Sequence, residues 1–368
     1  MKTLKLLFAS AAVIMLAASC LNDDPYNAYF VFRKPAQAVN TVYANNVIDS
    51  VVLFSYGNWY VVPGEGQKDW CTLDQSQGNA EVIYSIPVRF QQNTTGDSRS
   101  MRYTFYDLNH PDEAHSTILY WQYATRGDGT LGSAADVKTI TGSDGSRFEF
   151  VYDSQHRPTS LSVSKNDMIL YVLSLRFNDA DSTLTVNNGI STLSSKYGND
   201  YQPNLLVGES DTIGYYSQYY NGYLQASANY AFNIEHHSYG KPTKRYAMKL
   251  GGQSLLPDSL HNADSLRIAT DHMIESLKLT YSTADNRRQS VDVNQLIFGT
   301  EECDPYQLLS LFRFARNTSI ISKAMNDGNG YIVEPELNND GSVHTITVKK
   351  SSGGTVLPDI PLTYTFEY

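Results

Sequence analysis

The chain has 368 residues, a formal net charge of -10 and 18% charged residues. An acidic chain with no long Lys/Arg run repels a phosphate backbone, which argues against a nucleic-acid partner. Hydrophobic residues make up 41%, enough for packed cores and too much for a disordered chain, and the length suits two or three domains.

At the N-terminus, Lys2 and Lys5 precede an apolar run over 6–16, and Ala17, Ala18 and Ser19 follow. A positive start, a short apolar stretch and small residues make an export signal. The run is shorter than the roughly 20 residues of a membrane-spanning helix. Cys20 comes next. Small residues directly before a cysteine resemble the lipobox of bacterial lipoproteins, although that family usually has leucine three residues before the cysteine and Leu16 stands four before it. The resemblance implies a signal peptide over 1–19, cleavage before Cys20, lipid attachment at Cys20 and an acylated tether over 20–25. The bland alternative is a secreted protein in which Cys20 is incidental. The segment LNDD (21–24) resembles the acidic tag of Bacteroidetes surface lipoproteins, which implies an outer-membrane protein facing the cell exterior. Asp-Ser/Thr-apolar triplets at Asp49, Asp211, Asp258 and Asp264 match the short O-glycosylation signal of exported Bacteroidetes proteins and accord with export. Cys71 and Cys303 lie far apart and form no disulfide framework, so two separate thiols are expected.

From 26 to 123 the chain reads as short strands between turns. YNAYFVF (26–32), SVVLFSY (50–56), EVIYSIPVRF (81–90), SMRYTFYDL (100–108) and STILYWQY (116–123) alternate in part with period two. Such strands, rich in Val, Ile, Tyr and Phe, predict a β-sandwich. Trp59, NTTGDSR (93–99) and the final YWQY with Gln122 resemble the BACON module, an immunoglobulin-like domain of Bacteroidetes surface proteins. The resemblance implies either a carbohydrate-binding domain or a spacer. ATRGDGTLGSAAD (124–136) is glycine-rich and polar and reads as a linker; its RGD triplet is read as a turn.

From 137 to 368 a hairpin plan recurs. It is seen at 148–163, 175–186, 232–248, 279–293 and 333–348, each time as two alternating stretches joined through Asp, Asn or Gly. Hairpins in series predict an antiparallel meander, either a curled sheet or a barrel. VYDSQHRPTSL (151–161) resembles the YD-type repeat of bacterial surface proteins, and the whole region resembles an uncharacterised C-terminal domain of Bacteroidetes lipoproteins. One helix is predicted over 304–317, capped by Asp304 with Pro305 in its first turn and an apolar stripe of Leu308, Leu309, Phe312 and Ala315. The expected fold is therefore mostly β: an immunoglobulin-like sandwich, then an antiparallel meander with one covering helix.

No catalytic motif, P-loop or dinucleotide fingerprint is present. HPDEAH (110–115) gathers His110, Asp112, Glu113 and His115, but its order matches no zinc spacing and it reads as a turn. His236 and His237 are adjacent, so a strand would turn them to opposite faces. No catalytic residue, metal or cofactor is expected. Tyrosine is abundant, with 27 copies against 14 Phe and 3 Trp. In YYSQYYNGYLQASANYAF (215–232), a single strand would place Tyr215, Tyr219 and Tyr223 on one face, as contacts for a glycan or a protein partner. The alternative is a strand with one tyrosine set in the core. The expectation is a non-enzymatic, lipid-anchored surface protein that binds a glycan or a nutrient-uptake partner in the outer membrane. The alternative is a structural or adhesive surface protein with no small-molecule ligand.

Overall fold

The computed structural model describes residues 30–32, 39–64, 69–198, 200–201, 205–208, 211–217, 219–220, 223–224, 232–238, 241–249, 265–270, 274–298, 309, 311–312, 317–358 and 361–368. From 211 to 275 the description is of backbone pairing. The chain divides into two units. The first takes residues up to Val42, Asn46–Gln92 and Ser98–Gln122; the second takes Tyr43–Asn45, Asn93–Asp97 and Tyr123–Tyr368.

The first unit has two sheets. One holds β1 (Phe30–Phe32), β3 (Ile48–Ser55), β7 (Val82–Phe90) and β5 (Cys71–Leu73) in the order β1-β3-β7-β5. The other holds β2 (Val39–Val42), β9 (His115–Gln122), β8 (Arg99–Asp107), β4 (Trp59–Pro63) and β6 (Gln77–Gly78) in the order β2-β9-β8-β4-β6. All pairs are antiparallel except β2 with β9. Period-two alternation explains the packing, because every second side chain points into one shared core. Leu53, Trp59, Ile86, Val88, Phe105 and Tyr120 are all buried there. Tyr84 and Phe105 set their rings against Trp59, at 5.3 Å and 5.5 Å between centroids.

The residues that carried the BACON resemblance hold this sandwich together. Arg99 donates from Nε to Gln122 Oε1 at 2.8 Å and from Nη2 to the Gln91 carbonyl at 2.6 Å. Gln122, fully buried, donates to the same carbonyl at 3.1 Å. The Arg99 guanidinium also lies 4.5 Å from the centre of the Trp70 ring, a cation–π contact.

In the second unit the strands form an antiparallel meander. It begins with β10 (Thr139–Gly142), β11 (Ser146–Tyr152), β12 (Pro158–Lys165), β13 (Met168–Asn178), β14 (Thr183–Asn187) and β15 (Thr192–Lys196), paired in that order. The ladder continues through Leu205–Val207, joined to β15 by the pair Ser194↔Val207. It returns on itself at the end, where the strand Leu362–Glu367 pairs with both Val343–Ser352 and β10. The sheet thus curls around a core of Phe148, Leu161, Leu173, Leu184, Ile321 and Ile346, among others.

Tight turns with backbone in the left-handed region join the hairpins. Asn166 (φ 49°) and Asp167 (φ 63°) make one such turn, and Asp327 (φ 47°) with Gly328 (φ 83°) another. The YD-like motif has a physical role. Asp153 Oδ1 accepts the backbone N–H groups of Gln155 (2.9 Å) and Arg157 (3.0 Å), which closes the turn. Arg157 then bonds Asp153 Oδ2 at 2.7 Å and reaches Asp179, in the next hairpin's turn, at 2.5 Å. Its guanidinium lies 4.5 Å from the Phe177 ring and 4.7 Å from the Tyr201 ring. Hydrogen bonds from Arg157 hold the Asp179 carboxyl below the usual carboxylate range.

Two expectations are corrected, and a third lies mostly outside the described residues. Residues 124–136 pack as part of the second unit and are not a spacer. Arg126 is 2% exposed, bonds the Ala134 carbonyl at 2.7 Å and pairs with Asp136 at 3.2 Å. The glycines and polar residues that suggested a linker are there to wrap a buried guanidinium, and the RGD arginine faces inward. The predicted hairpin at 279–293 is only half a hairpin. The strand Ile274–Asp285 pairs with Ser319–Asn326, and residues 286–292 form a largely buried polar loop leading into a 3₁₀ helix, Val293–Phe298. Asn286 Nδ2 donates to Asp292 Oδ1 at 2.8 Å and to the Asn317 carbonyl at 3.0 Å, and Asn294 bonds the backbone of Ser319 and Ile321. Buried amides thus replace the turn that Asp-Asn suggested. The helix predicted over 304–317 falls mostly outside the described residues, including Asp304, Pro305, Leu308 and Ala315. Leu309 and Phe312 lie within them and are buried in the core, as is Leu311.

Candidate functional site

The residues that face away from the sandwich core are those the alternation leaves free. On the five-stranded sheet, Tyr60 of β4 stands opposite Tyr106 of β8, and Tyr106 stands opposite His115 of β9. The Tyr60 and Tyr106 rings stack at 5.3 Å and 17°, and His115 lies 5.8 Å from Tyr106. Both tyrosines are half-buried and His115 is exposed. The next row holds Val62, Thr104 and Thr117, with the two hydroxyls 3.2 Å apart. Beyond it Arg102 pairs with Leu119, and Trp121, 39% exposed, closes the face. Three aromatic groups across three strands, beside hydroxyls and one cation, offer ring faces for stacking and donors for orientation.

The core behind this face is closed. Tyr103 donates its hydroxyl to the Cys71 carbonyl at 2.6 Å, and Cys71 is a buried free thiol. Burial pushes the Cys71 thiol up to about 11, so it is neutral and inert at ordinary pH.

A second feature lies in the second unit. A shallow, solvent-open recess is lined by Asn45, Arg126, His156, Arg157, Asp200 and Tyr201, among others. His156 Nδ1 lies 2.6 Å from Asp136 Oδ2. Burial alone would raise the Asp136 carboxyl, but the His156 hydrogen bond and the Arg126 charge outweigh it and hold it low. Tyr201 donates to Gln155 Oε1 at 2.6 Å, and Asn45 donates to the Gln155 carbonyl at 3.1 Å. These contacts hold turns in place and leave little room for a ligand.

Cys20 lies outside the described residues, as does Cys303. Tyr215 falls in the strand Asp211–Ser217, opposite Ile234. Tyr219 and Tyr223 fall in a separate two-stranded hairpin, where Tyr219 pairs with Leu224 and Tyr220 with Tyr223. The three tyrosines therefore do not line one strand. His236 and His237 lie on the strand Phe232–Ser238 at a register shift. Among the described residues, no group of His, Cys, Asp or Glu is arranged to hold a metal ion. The Tyr60–Tyr106–His115 row went unrecognised in the sequence: only Tyr106 lay in a predicted strand, 100–108, while Tyr60 and His115 lay outside the predicted strands, so no local signal marked the row.

Residues 59–111 match the family model described as "BACON: Putative binding domain, N-terminal". No curated protein matches the chain. Among solved structures, a porin-like protein from Bacteroides uniformis is similar at 12% identity, covering 64% of this chain and 99% of its own, with a TM-score of 0.41. A porin-like protein from Bacteroides vulgatus gives 12% identity, 64% and 98% coverage and a TM-score of 0.40. A Bacteroides ovatus GH5 xyloglucanase in complex with a heptasaccharide gives 14%, 29% and 21%, with a TM-score of 0.22. Likenesses at these scores carry no weight in assigning a function. Tyr60 and Tyr106 both lie inside the family match, and the protein is one that carries a BACON-like module in its N-terminal half.

Proposed function

We propose that this chain is a non-enzymatic binding protein of the bacterial cell envelope, and that the outward face of the five-stranded sheet is its glycan contact. One observation carries the reading: the cross-strand row Tyr60–Tyr106–His115 beside the paired hydroxyls of Thr104 and Thr117. Sugar rings present C–H faces to aromatic side chains and hydroxyls to polar ones, and this face supplies both. Cys20 is the proposed lipid anchor, which would hold the binding face at the outer membrane. A glycan array on the purified chain tests the reading. Hits that vanish in Tyr60→Ala/Tyr106→Ala support it, and hits that persist unchanged in that variant sink it.

A second reading is favoured by the opposite sheet. Val31, Phe54 and Ile83 sit in cross-strand register on its outward side, and Ile83 is 72% exposed. An exposed apolar row of this kind, with no hydroxyl pair beside it among the described residues, suits a protein partner better than a sugar. It accords with an adhesive or scaffolding role.

A further inference from the structure

We infer, resting on the glycan reading above, that the ligand of the five-stranded sheet is anionic and that Arg102 receives its carboxylate or sulfate group. At Arg102 the β8 backbone is held from both sides. It stands opposite Leu119 of β9, and its carbonyl accepts the Gly64 N–H, just past β4, at 2.8 Å. Alternation turns Arg102, Thr104 and Tyr106 to the same outward face, and Arg102 is exposed there.

Arg102 differs from other arginines of this chain in what it meets. Arg89, Arg147, Arg157 and Arg287 each pair with a carboxylate, that of Asp74, Glu149, Asp179 and Asp285 in turn. Arg99 points its guanidinium at Gln122, the Gln91 carbonyl and the Trp70 ring. The Arg102 guanidinium has no hydrogen bond or ion pair among the described residues. Nor does its own sheet offer it a carboxylate. The one acidic residue in the five strands is Asp107, which is 1% exposed and accepts the N–H groups of Asn109 and His110 at 2.9 Å. In a chain of net charge -10, this face sets an unmatched cation on a surface its strands leave free of exposed acids.

The face is also polarised. Asp112 and Glu113 are exposed in the turn from β8 to β9, beyond Tyr106 and His115 and away from Arg102. A ligand with one acid group is therefore oriented, with that group at Arg102 and an uncharged ring at the tyrosines. Arg102 and Tyr106 are about 13 Å apart along β8, four steps of roughly 3.4 Å, which leaves room for a short oligosaccharide over the Thr104 and Thr117 hydroxyls. The planar guanidinium fork matches a carboxylate or sulfate through two parallel hydrogen bonds. Solvent screens an exposed pair, so the gain is about two- to fivefold in affinity. Arg102 thus selects among glycans that the rings hold.

The test is calorimetry on the full-length chain with matched pairs of oligosaccharides. One set contains galacturonate, glucuronate or mannuronate, each beside its carboxyl-reduced form; another is a sulfated galactan beside its desulfated form. Each pair differs in charge and keeps its ring stereochemistry. At least one acidic form should bind about two- to fivefold more tightly than its neutral counterpart at low salt, and high salt should close the gap. Which pair shows the preference tells a carboxylate from a sulfate. Arg102→Gln should bring the ratio of the two affinities close to one, with circular dichroism unchanged because the side chain is exposed. Tyr60→Ala/Tyr106→Ala should weaken both members of a pair alike. The inference is overturned if neutral forms bind as tightly as acidic ones, or if the preference survives Arg102→Gln; in either case the glycan reading still stands. If no member of any pair binds, the glycan reading fails and this inference falls with it.

Discussion

On one outward face of the sandwich, Tyr60, Tyr106 and His115 stand beside Thr104 and Thr117; on the other, Val31, Phe54 and Ile83 stand beside Tyr56, whose ring meets Phe54 edge-on at 4.9 Å. The two faces are built by the same alternation and rest on the same core. Inward positions must fill one volume, so both sheets converge there on large apolar groups. Outward positions carry no such packing constraint, and each face has its own chemistry. One sets stacked tyrosines beside threonine hydroxyls; the other sets Val31 and Ile83 beside an edge-on Phe–Tyr pair. The difference locates the candidate functions better than any single residue does, because it separates a surface suited to sugars from one suited to protein.

The strongest way to break the comparison is to remove what the faces share. Trp59 is 1% exposed and packs against both Tyr84 and Phe105. Trp59→Ala should destabilise the sandwich by about 3–5 kcal/mol. Chemical denaturation should show it, and both faces should fail together. A variant that loses glycan binding but keeps full stability would mean that Trp59 is not the shared support.

Next in size is the pair that distinguishes the faces. Tyr60→Ala/Tyr106→Ala should weaken any glycan by about 2 kcal/mol, roughly thirtyfold, from two rings at about 1 kcal/mol each. Ile83→Lys should leave that affinity unchanged in calorimetry. Equal losses from both substitutions would erase the distinction.

A smaller effect comes from the shared core through pH. The Cys71 thiol is pushed up to about 11 by burial, against 9.0 for an unperturbed thiol. The folded state therefore keeps a proton that the unfolded state loses. Stability from this source is full below about pH 9 and falls by about 1 kcal/mol between pH 9 and 10. Tyr103 and Tyr120 are also raised by burial, and their contribution has the same sign at higher pH. Denaturant midpoints at pH 8 and 10 should differ less in Cys71→Ala than in the parent chain. An equal difference in both would show that the thiol is not the group titrating.

The smallest effect sharpens the aromatic face alone. Thr104→Val should cost about 0.2–1 kcal/mol of stability through the lost cross-strand hydroxyl contact. It should reduce glycan affinity only a few-fold. A total loss of binding would move the centre of the site from the rings to the hydroxyl pair.

Much of this protein could be read from its residues in order. Alternation marked the longer sandwich strands, and the hairpin plan at 148–163, 175–186 and 333–348 marked strands that do pair with one another. The mostly β fold follows from those local patterns, because strand and turn preferences act over a few residues. Short strands such as Cys71–Leu73 and Gln77–Gly78 carry too few residues to show a period, and they became visible only through their pairing. The buried Arg126 was hidden for a related reason. Glycine and aspartate around it look the same whether they free a linker or fold a loop about a guanidinium. Tyrosine spacing at 215–223 suggested one continuous face, yet the backbone breaks there into a strand and a separate hairpin. Tyr60, Tyr106 and His115 meet only because register across β4, β8 and β9 brings them into one row. Local preference determined which segments became strands and turns; the choice of which strands neighbour one another, and so which side chains share a surface, was made by long-range pairing and core packing, whose partners lie tens of residues apart.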